Sequence, residues 1–164
     1  MERILSIDPS GTGTTGVYFK NGVREEFNCY QHKDWKQHLA FLVEQVKTLQ
    51  PQTILYEHTH YINLRGKDMT SLFKLFGGIE SLVYFGIKEI KAVPVNQVKT
   101  LKDKLFKGTQ QIPGLEFAKG RGKGWSLNQQ KLNLHELDAW LVYWLGRGND
   151  NPPTSFPQKR REDD

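Results

Sequence analysis

The sequence contains a single cysteine, Cys29, among its 164 residues. One cysteine excludes an internal disulfide and a zinc cage built from several thiolates, and it is typical of a reducing compartment. The sequence also lacks an apolar run long enough to span a bilayer. We expect no secretory leader, because the first apolar stretch is short and follows Glu2 and Arg3. We therefore expect a cytoplasmic protein with no membrane partner.

The composition is that of a folded domain with a charged surface. Hydrophobic residues make up 37% of the chain and charged residues 25%. The length predicts one domain over residues 1–147, and the polar, proline-containing remainder, residues 148–164, is predicted to be disordered. The net charge of +5, with a pI near 9.3, favours a polyanionic partner such as a nucleic acid.

Two apolar runs in the sequence end in a carboxylate. Residues 4–7 precede Asp8, and residues 54–56 precede Glu57. Both runs are typical of buried strands, and parallel neighbouring strands would bring their two carboxylates to one edge of the sheet, where ligands bind. A buried carboxylate is unfavourable unless it is hydrogen-bonded or holds a cation. Two plainer interpretations remain: Asp8 caps its own turn, and Glu57 is an ordinary surface residue.

The remaining pattern predicts a mixed α/β chain. Asn21-Gly22 is a strong hairpin signal, so the chain should begin with three antiparallel strands. Asp34 is a suitable N-cap for a helix that ends near Leu49. We then expect a fourth strand ending at Glu57, a long helix from Asp68 to about Gly86 and a fifth strand over residues 87–95. A basic helix should begin at Asn96, followed by an irregular glycine-rich basic loop over residues 108–124 and a buried last helix over residues 134–145.

The last predicted helix carries His135 and Asp138 three positions apart, and therefore on one face. On an otherwise apolar helix, these side chains are unfavourable unless they meet charged groups. Divalent metal ions would provide that charge, as would a lysine or arginine from another element. Carboxylate oxygens with one imidazole suit Mg²⁺ or Mn²⁺ better than structural zinc, for which the cysteines are missing.

Taken in order, these motifs resemble those of the RuvC Holliday-junction resolvases over about residues 3–146. The most specific are the segment Ile-Leu-Ser-Ile-Asp-Pro-Ser-Gly-Thr-Gly-Thr-Thr-Gly at 4–16 and His135-x-x-Asp138-Ala139. Tyr56-Glu57, residues 71–75 and residues 94–99 support them. The resemblance implies a ribonuclease H-like α/β fold, in which a mixed five-stranded sheet, three antiparallel strands and then two parallel ones, is flanked by helices.

The resemblance also implies an activity, a cofactor and a set of site residues. It makes Asp8, Glu57, His135 and Asp138 the metal-binding catalytic set for two Mg²⁺ or Mn²⁺ ions, and Lys99 a catalytic or phosphate-contacting lysine. His135 is either a metal ligand or an acid/base that orients water. The implied enzyme is an endonuclease that hydrolyses four-way (Holliday) or branched DNA junctions and leaves 5′-phosphate and 3′-hydroxyl ends.

Similarity to the family further implies a homodimer, formed through the long helix near Asp68, and a bacterial or phage-borne source, with the bacterial or host cytoplasm as its location. The family places an aromatic wedge three residues after the strand-four glutamate, where this chain has His60, followed by Tyr61. The expected DNA-contacting residues are His60, Tyr61, Arg65, Lys67, Lys99, Lys102, Lys119, Arg121 and Lys123.

Three other functions remain open from the sequence. A nuclease of the same fold could act on RNA–DNA hybrids or other branched DNA. The glycine-threonine segment after Asp8 also looks like the first phosphate-binding segment of the actin and sugar-kinase superfamily, although that superfamily requires a second lobe. It is not a Walker loop, because no Gly-Lys-Ser/Thr follows. The third is a nucleic-acid binder whose acidic residues are structural.

Overall fold

The computed structural model of this chain describes residues 1–59 and 67–147. The predicted wedge residues His60 and Tyr61, together with Arg65, lie outside the described residues, as does the predicted disordered tail over residues 148–164. The side chain of Lys67 is likewise outside them.

A mixed five-stranded sheet forms the centre of the fold, with strands in the order β3-β2-β1-β4-β5. Its strands are β1 (Arg3–Asp8), β2 (Thr14–Asn21), β3 (Arg24–Gln31), β4 (Thr53–His58) and β5 (Glu89–Pro94). The first three strands pair antiparallel, and β4 and β5 continue parallel to β1. The predicted fold class is confirmed, including the Asn21-Gly22 hairpin, where Gly22 has a positive φ of 60°.

Four helices cover the two faces of this sheet within the described ranges. They are α1 (Trp35–Leu49), α2 (Lys67–Glu80), α3 (Val95–Lys107) and α4 (Leu134–Gly146). Helices α1 and α2 share one hydrophobic cluster with the sheet, and α3 and α4 share the other. Asp34 caps α1 as predicted, because its side chain accepts a 3.0 Å hydrogen bond from the Lys36 amide. None of the helices in the described part of the chain is long and apolar enough to cross a membrane.

The predicted long helix to Gly86 ends earlier than expected. Helix α2 ends at Glu80, and a 3₁₀ helix, Ser81–Phe85, continues the chain. The Ser81 hydroxyl donates a 2.6 Å hydrogen bond to the Gly78 carbonyl, which is an acceptor in the last turn of α2. Such side-chain hydrogen bonds compete with the α-helical pattern, and the chain continues as the tighter 3₁₀ helix. Asp68 lies in the first turn of α2 and does not cap it.

A second, three-stranded sheet lies between α3 and α4, and its first strand falls within the segment 108–124 that was predicted to be an irregular loop. Its strands are β6 (Leu115–Phe117), β7 (Trp125–Leu127) and β8 (Gln130–Lys131). The prediction was wrong only for β6, a three-residue strand too short to show in the sequence pattern. Leu115, Trp125 and Leu127 of the small sheet are buried in the same cluster as α4. The two-residue turn between β7 and β8 has positive φ at both positions, as hairpin turns require.

Candidate active site

The two strand-end carboxylates face the same side of the main sheet. Strands alternate their side chains, so Asp8 shares a face with Ile4 and Glu57 shares a face with Leu55. Both apolar residues pack in the cluster that contains α4. The register pairs Ile7 with Tyr56, which brings Asp8 and Glu57 to neighbouring positions at the ends of parallel strands. The predicted meeting of the two carboxylates at one sheet edge is therefore observed.

Helix α4 lies across this face and brings Asp138 to the two strand-end carboxylates. Its backbone is held close to β1, because the buried Ser6 hydroxyl donates a 2.7 Å hydrogen bond to the Ala139 carbonyl. It is equally close to β2: a Cβ on Gly16 would lie 2.7 Å from the carbonyl carbon of His135. Gly16 is thus required by the packing of α4 against β2.

The carboxylates destabilise one another's charged forms. Burial raises the pKa of Asp8 well above its usual value, and the charges of Glu57 and Asp138 raise it further, against a smaller lowering by Lys102. Burial and then Asp138 raise the pKa of Glu57 to about 7, although Lys102 and Lys99 act in the opposite direction. Groups whose pKa is raised by burial and like charge are typical of functional sites and of sites that hold cations.

Two lysines of α3 supply positive charge to this cluster. Lys102 Nζ lies 2.7 Å from Asp138 Oδ1, in an ion pair that is mostly shielded from water. Lys99 lines a cavity of about 260 Å³ together with Glu57 and Pro9. Lys99 therefore lies beside Glu57, and its predicted role stays a prediction, whereas Lys102, predicted only as a DNA contact, forms an ion pair with the catalytic candidate Asp138.

His135 is the fourth member of the predicted catalytic set. Its Nδ1 lies 3.6 Å from Asp8 Oδ2, and its side chain is 46% exposed, so the ring lies between the buried carboxylate and solvent. The intervening Glu136 has a different role: its amide donates to the Asn133 side chain and its carboxylate accepts from the Asn133 amide, which caps α4.

A buried hydrogen-bond network supports the loop that follows Asp8. Thr15 Oγ1 accepts a 3.0 Å hydrogen bond from the Ser10 amide and lies 2.9 Å from His38 Nδ1. The opposite ring nitrogen, His38 Nε2, lies 2.7 Å from the His32 carbonyl and therefore donates to it. The sequence does not predict this network, because nothing about a lone histidine on α1 indicates that it reaches the β1–β2 loop.

The carboxylates of the cluster have the chemistry of ligands for a hard divalent cation. Within residues 1–59 and 67–147, no three acidic, histidine or cysteine side chains converge closely enough to hold a metal ion as they stand. The carboxylates of Asp8, Glu57 and Asp138 are nevertheless close enough to shift pKa values, and oxygen ligands are those that Mg²⁺ and Mn²⁺ prefer. A cation there would relieve the repulsion that Lys102 now partly offsets.

The predicted basic loop residues are exposed to solvent. Lys119, Arg121 and Lys123 are exposed in the connection between β6 and β7. They surround positions where glycines adopt positive φ, including Gly120 and Gly122. Their role as DNA contacts stays a prediction.

Comparison with known proteins identifies the fold. No protein family model matches the chain, and no protein of curated function matches it by sequence. The structure of Thermus thermophilus RuvC in complex with a Holliday junction substrate is similar, with a TM-score of 0.61 and 14% identity over 87% of this chain and 90% of that chain. A second T. thermophilus RuvC structure has a TM-score of 0.56 and 15% identity over 85% of this chain and 90% of that chain.

At these identities the likeness shows the fold, which is the ribonuclease H-like fold as in RuvC. The resemblance predicted from the motifs is thereby confirmed at the level of the fold. The roles of the individual site residues stay predictions.

Proposed function

We propose that this chain is a metal-dependent endonuclease that cuts branched DNA, with four-way junctions as its principal substrate. The observation that carries the proposal is the cluster of Asp8, Glu57 and Asp138, in which burial and mutual repulsion raise the pKa of the two strand-end carboxylates. Its position at the carboxyl ends of parallel strands is where α/β sheets bind ligands. The RuvC-like fold supports a junction as the substrate.

In this proposal, Asp8, Glu57 and Asp138 hold Mg²⁺ or Mn²⁺, two ions per site, and His135 either completes the ligand set or handles a proton. The ions would supply Lewis-acid activation of water and charge neutralisation at the phosphate. Lys99, beside Glu57, adds positive charge where the attacked phosphate gains negative charge.

The reaction is the hydrolysis of one phosphodiester bond. A water oxygen bonds to phosphorus, the bond from phosphorus to the 3′ oxygen breaks, and the products carry a 5′-phosphate and a 3′-hydroxyl. His135, half exposed beside Asp8, is positioned to accept the proton that the attacking water loses. The leaving 3′ oxygen takes its proton from solvent.

We further propose that two copies associate through α2, because a two-fold dimer would present two sites to the two strands of a symmetric junction. Sedimentation or light scattering at micromolar concentration measures this directly. A monomer that still makes paired, symmetric nicks would contradict the dimer.

The deciding experiment compares nicking of a four-way junction, a flap, an RNA–DNA hybrid and a duplex with Mg²⁺ and with EDTA. We expect junction cleavage that EDTA abolishes and that Asp8→Asn reduces by at least about 100-fold, as for loss of a catalytic group. Glu44→Gln, which changes an exposed carboxylate on α1, is the matched control and should cleave normally.

Unchanged cleavage by Asp8→Asn would contradict the metal site. Cleavage of the hybrid without cleavage of any junction would contradict the proposed substrate. The chain would then be a nuclease of the same fold that acts on RNA paired with DNA.

A further inference from the structure

A groove opens beside the candidate active site, between α3 and the small sheet. Its volume is about 670 Å³, and its lining residues are Lys99, Thr100, Lys102, Asp103, Phe106, Phe117, Trp125 and Leu134. We call it the aromatic groove, because the ring centroids of Phe106 and Phe117 are 5.1 Å apart and those of Phe117 and Trp125 are 4.9 Å apart. Phe106 is 53% exposed and Phe117 is 36% exposed. Clustered exposed rings are uncommon on a protein surface and indicate binding.

Two helices lead from the carboxylate cluster into the aromatic groove. On α3, Lys102 binds Asp138, and Phe106 follows one turn later on the same face. On α4, Leu134 lines the groove, and its neighbour His135 lies beside Asp8. The groove therefore begins where the carboxylate cluster ends.

Positive charge lines the aromatic groove. Lys99 and Lys102 belong to its lining, and the exposed Lys119, Arg121 and Lys123 follow Phe117 in the sequence. Asp103, a carboxylate of the lining, is paired with Lys107 at 2.8 Å, which offsets its charge. Aromatic rings beside cations are the arrangement that binds single-stranded nucleic acid, because bases stack on the rings and phosphates contact the cations.

We propose that the aromatic groove holds unpaired bases of the DNA strand that passes through the carboxylate cluster, stacked on Phe106 and Phe117. This rests on the proposed function, which brings a DNA strand to Asp8. Flaps and opened branch points of branched DNA supply unpaired bases, whereas a continuous duplex offers no free base face to the rings. The groove has the volume of a small-ligand site, enough for roughly one or two bases.

The test measures stacking directly and needs no cleavage. The probes are a single-stranded oligothymidylate and a junction with an unpaired flap, each carrying one 2-aminopurine, whose fluorescence falls when it stacks on a ring. In EDTA, we expect the wild-type protein to quench both probes. Phe106→Leu and Phe117→Leu keep apolar volume but remove the ring face, and each should weaken binding by roughly 5- to 100-fold.

Three controls separate stacking from loss of folding. Tyr84→Leu removes an aromatic side chain that is 89% exposed elsewhere on the molecule, and it should bind as the wild type does. Phe117→Trp keeps an aromatic ring at this position and should retain the quenching that Phe117→Leu loses. The melting temperature of each variant reports whether the small sheet is intact.

A substrate with abasic sites at the unpaired positions keeps the phosphates but removes the bases. The wild type should bind it about as weakly as Phe117→Leu binds the parent probe, and Phe117→Leu should not distinguish the two. Equal wild-type affinity for both substrates, or full quenching by the leucine variants, would overturn the proposal. Self-association that Phe117→Leu abolishes would also overturn it, since a second copy would then occupy the groove.

The proposed function and this inference fail separately. Asp8→Asn should lose cleavage and keep the quenching, whereas Phe117→Leu should lose the quenching. Cleavage that survives Asp8→Asn contradicts the proposed active site alone, and quenching that survives both leucine variants contradicts the aromatic groove alone.

Discussion

Replacing Glu57 with glutamine should stabilise the metal-free protein at alkaline pH. The pKa of Glu57 rises from 4.5 to about 7, because the side chain is buried and faces Asp138. The native state therefore binds a proton more tightly than the unfolded chain does. By linkage, stability falls as the pH rises through the interval from about 4.5 to about 7, and the full penalty is present above it.

The size of the effect follows from the displacement of the pKa. Each pKa unit corresponds to about 1.4 kcal/mol, so ionised Glu57 costs the native state at most about 3 kcal/mol. Glutamine carries no charge at any pH and avoids this penalty. In a domain of this length, we expect a melting temperature higher by up to about 10 °C at about pH 8.

The assay is thermal unfolding in EDTA, followed at several pH values for the wild type and for Glu57→Gln. The difference between the two proteins should be near zero at about pH 4, where Glu57 is protonated in both states, and should grow as the pH rises. Glu44→Gln replaces an exposed carboxylate and should change stability by less than about 0.5 kcal/mol throughout. Equal melting temperatures of wild type and Glu57→Gln at about pH 8 would refute the argument from burial and repulsion.

Magnesium extends the same measurement to the metal site. A ligand that binds only the native state raises its stability by mass action, by about 2.7 kcal/mol at 100 times its dissociation constant. The wild type should gain melting temperature in Mg²⁺, and Glu57→Gln should gain less, so the difference between them narrows. An equal gain in both proteins would exclude Glu57 as a ligand.

Two further predictions concern packing and charge around the cluster. Gly16→Ala should destabilise the protein by about 1–3 kcal/mol, because the added Cβ would overlap the backbone of His135. Gly77→Ala should stabilise it by about 0.5–1 kcal/mol, because nothing lies within 4 Å of the added Cβ. Chemical denaturation measures both changes. Lys102→Met should lower the stability of the metal-free protein by about 1–3 kcal/mol and increase the melting-temperature gain that Mg²⁺ produces. Lys107→Met, which removes an exposed ion pair, should change neither quantity in the same melting assay. A larger loss for Gly77→Ala than for Gly16→Ala, or an unchanged Mg²⁺ response in Lys102→Met, would contradict these expectations.

The sequence predicted the main sheet and the strand-end carboxylates because both depend on short-range rules. Alternating apolar residues, the Asn21-Gly22 turn and the Asp34 cap act over a few residues, and each element formed as expected. The small sheet was missed, because β6 to β8 have only two or three residues each and their apolar residues pack in the cluster that contains α4. The early end of α2 coincides with a local hydrogen bond from the Ser81 hydroxyl, which helix propensity does not resolve.

Residue types and their spacing predicted which carboxylates could meet, since Asp8 and Glu57 end two apolar strands and Asp138 shares a helix face with His135. The surroundings of these carboxylates depend on how the helices pack on the sheet. Lys102 and Asp138 are 36 residues apart in sequence, and their ion pair exists because α3 and α4 pack together. The contact of Gly16 with α4 and the aromatic groove arise in the same way. Such contacts join distant segments, and their geometry is set by the packing of whole elements, which no local pattern encodes.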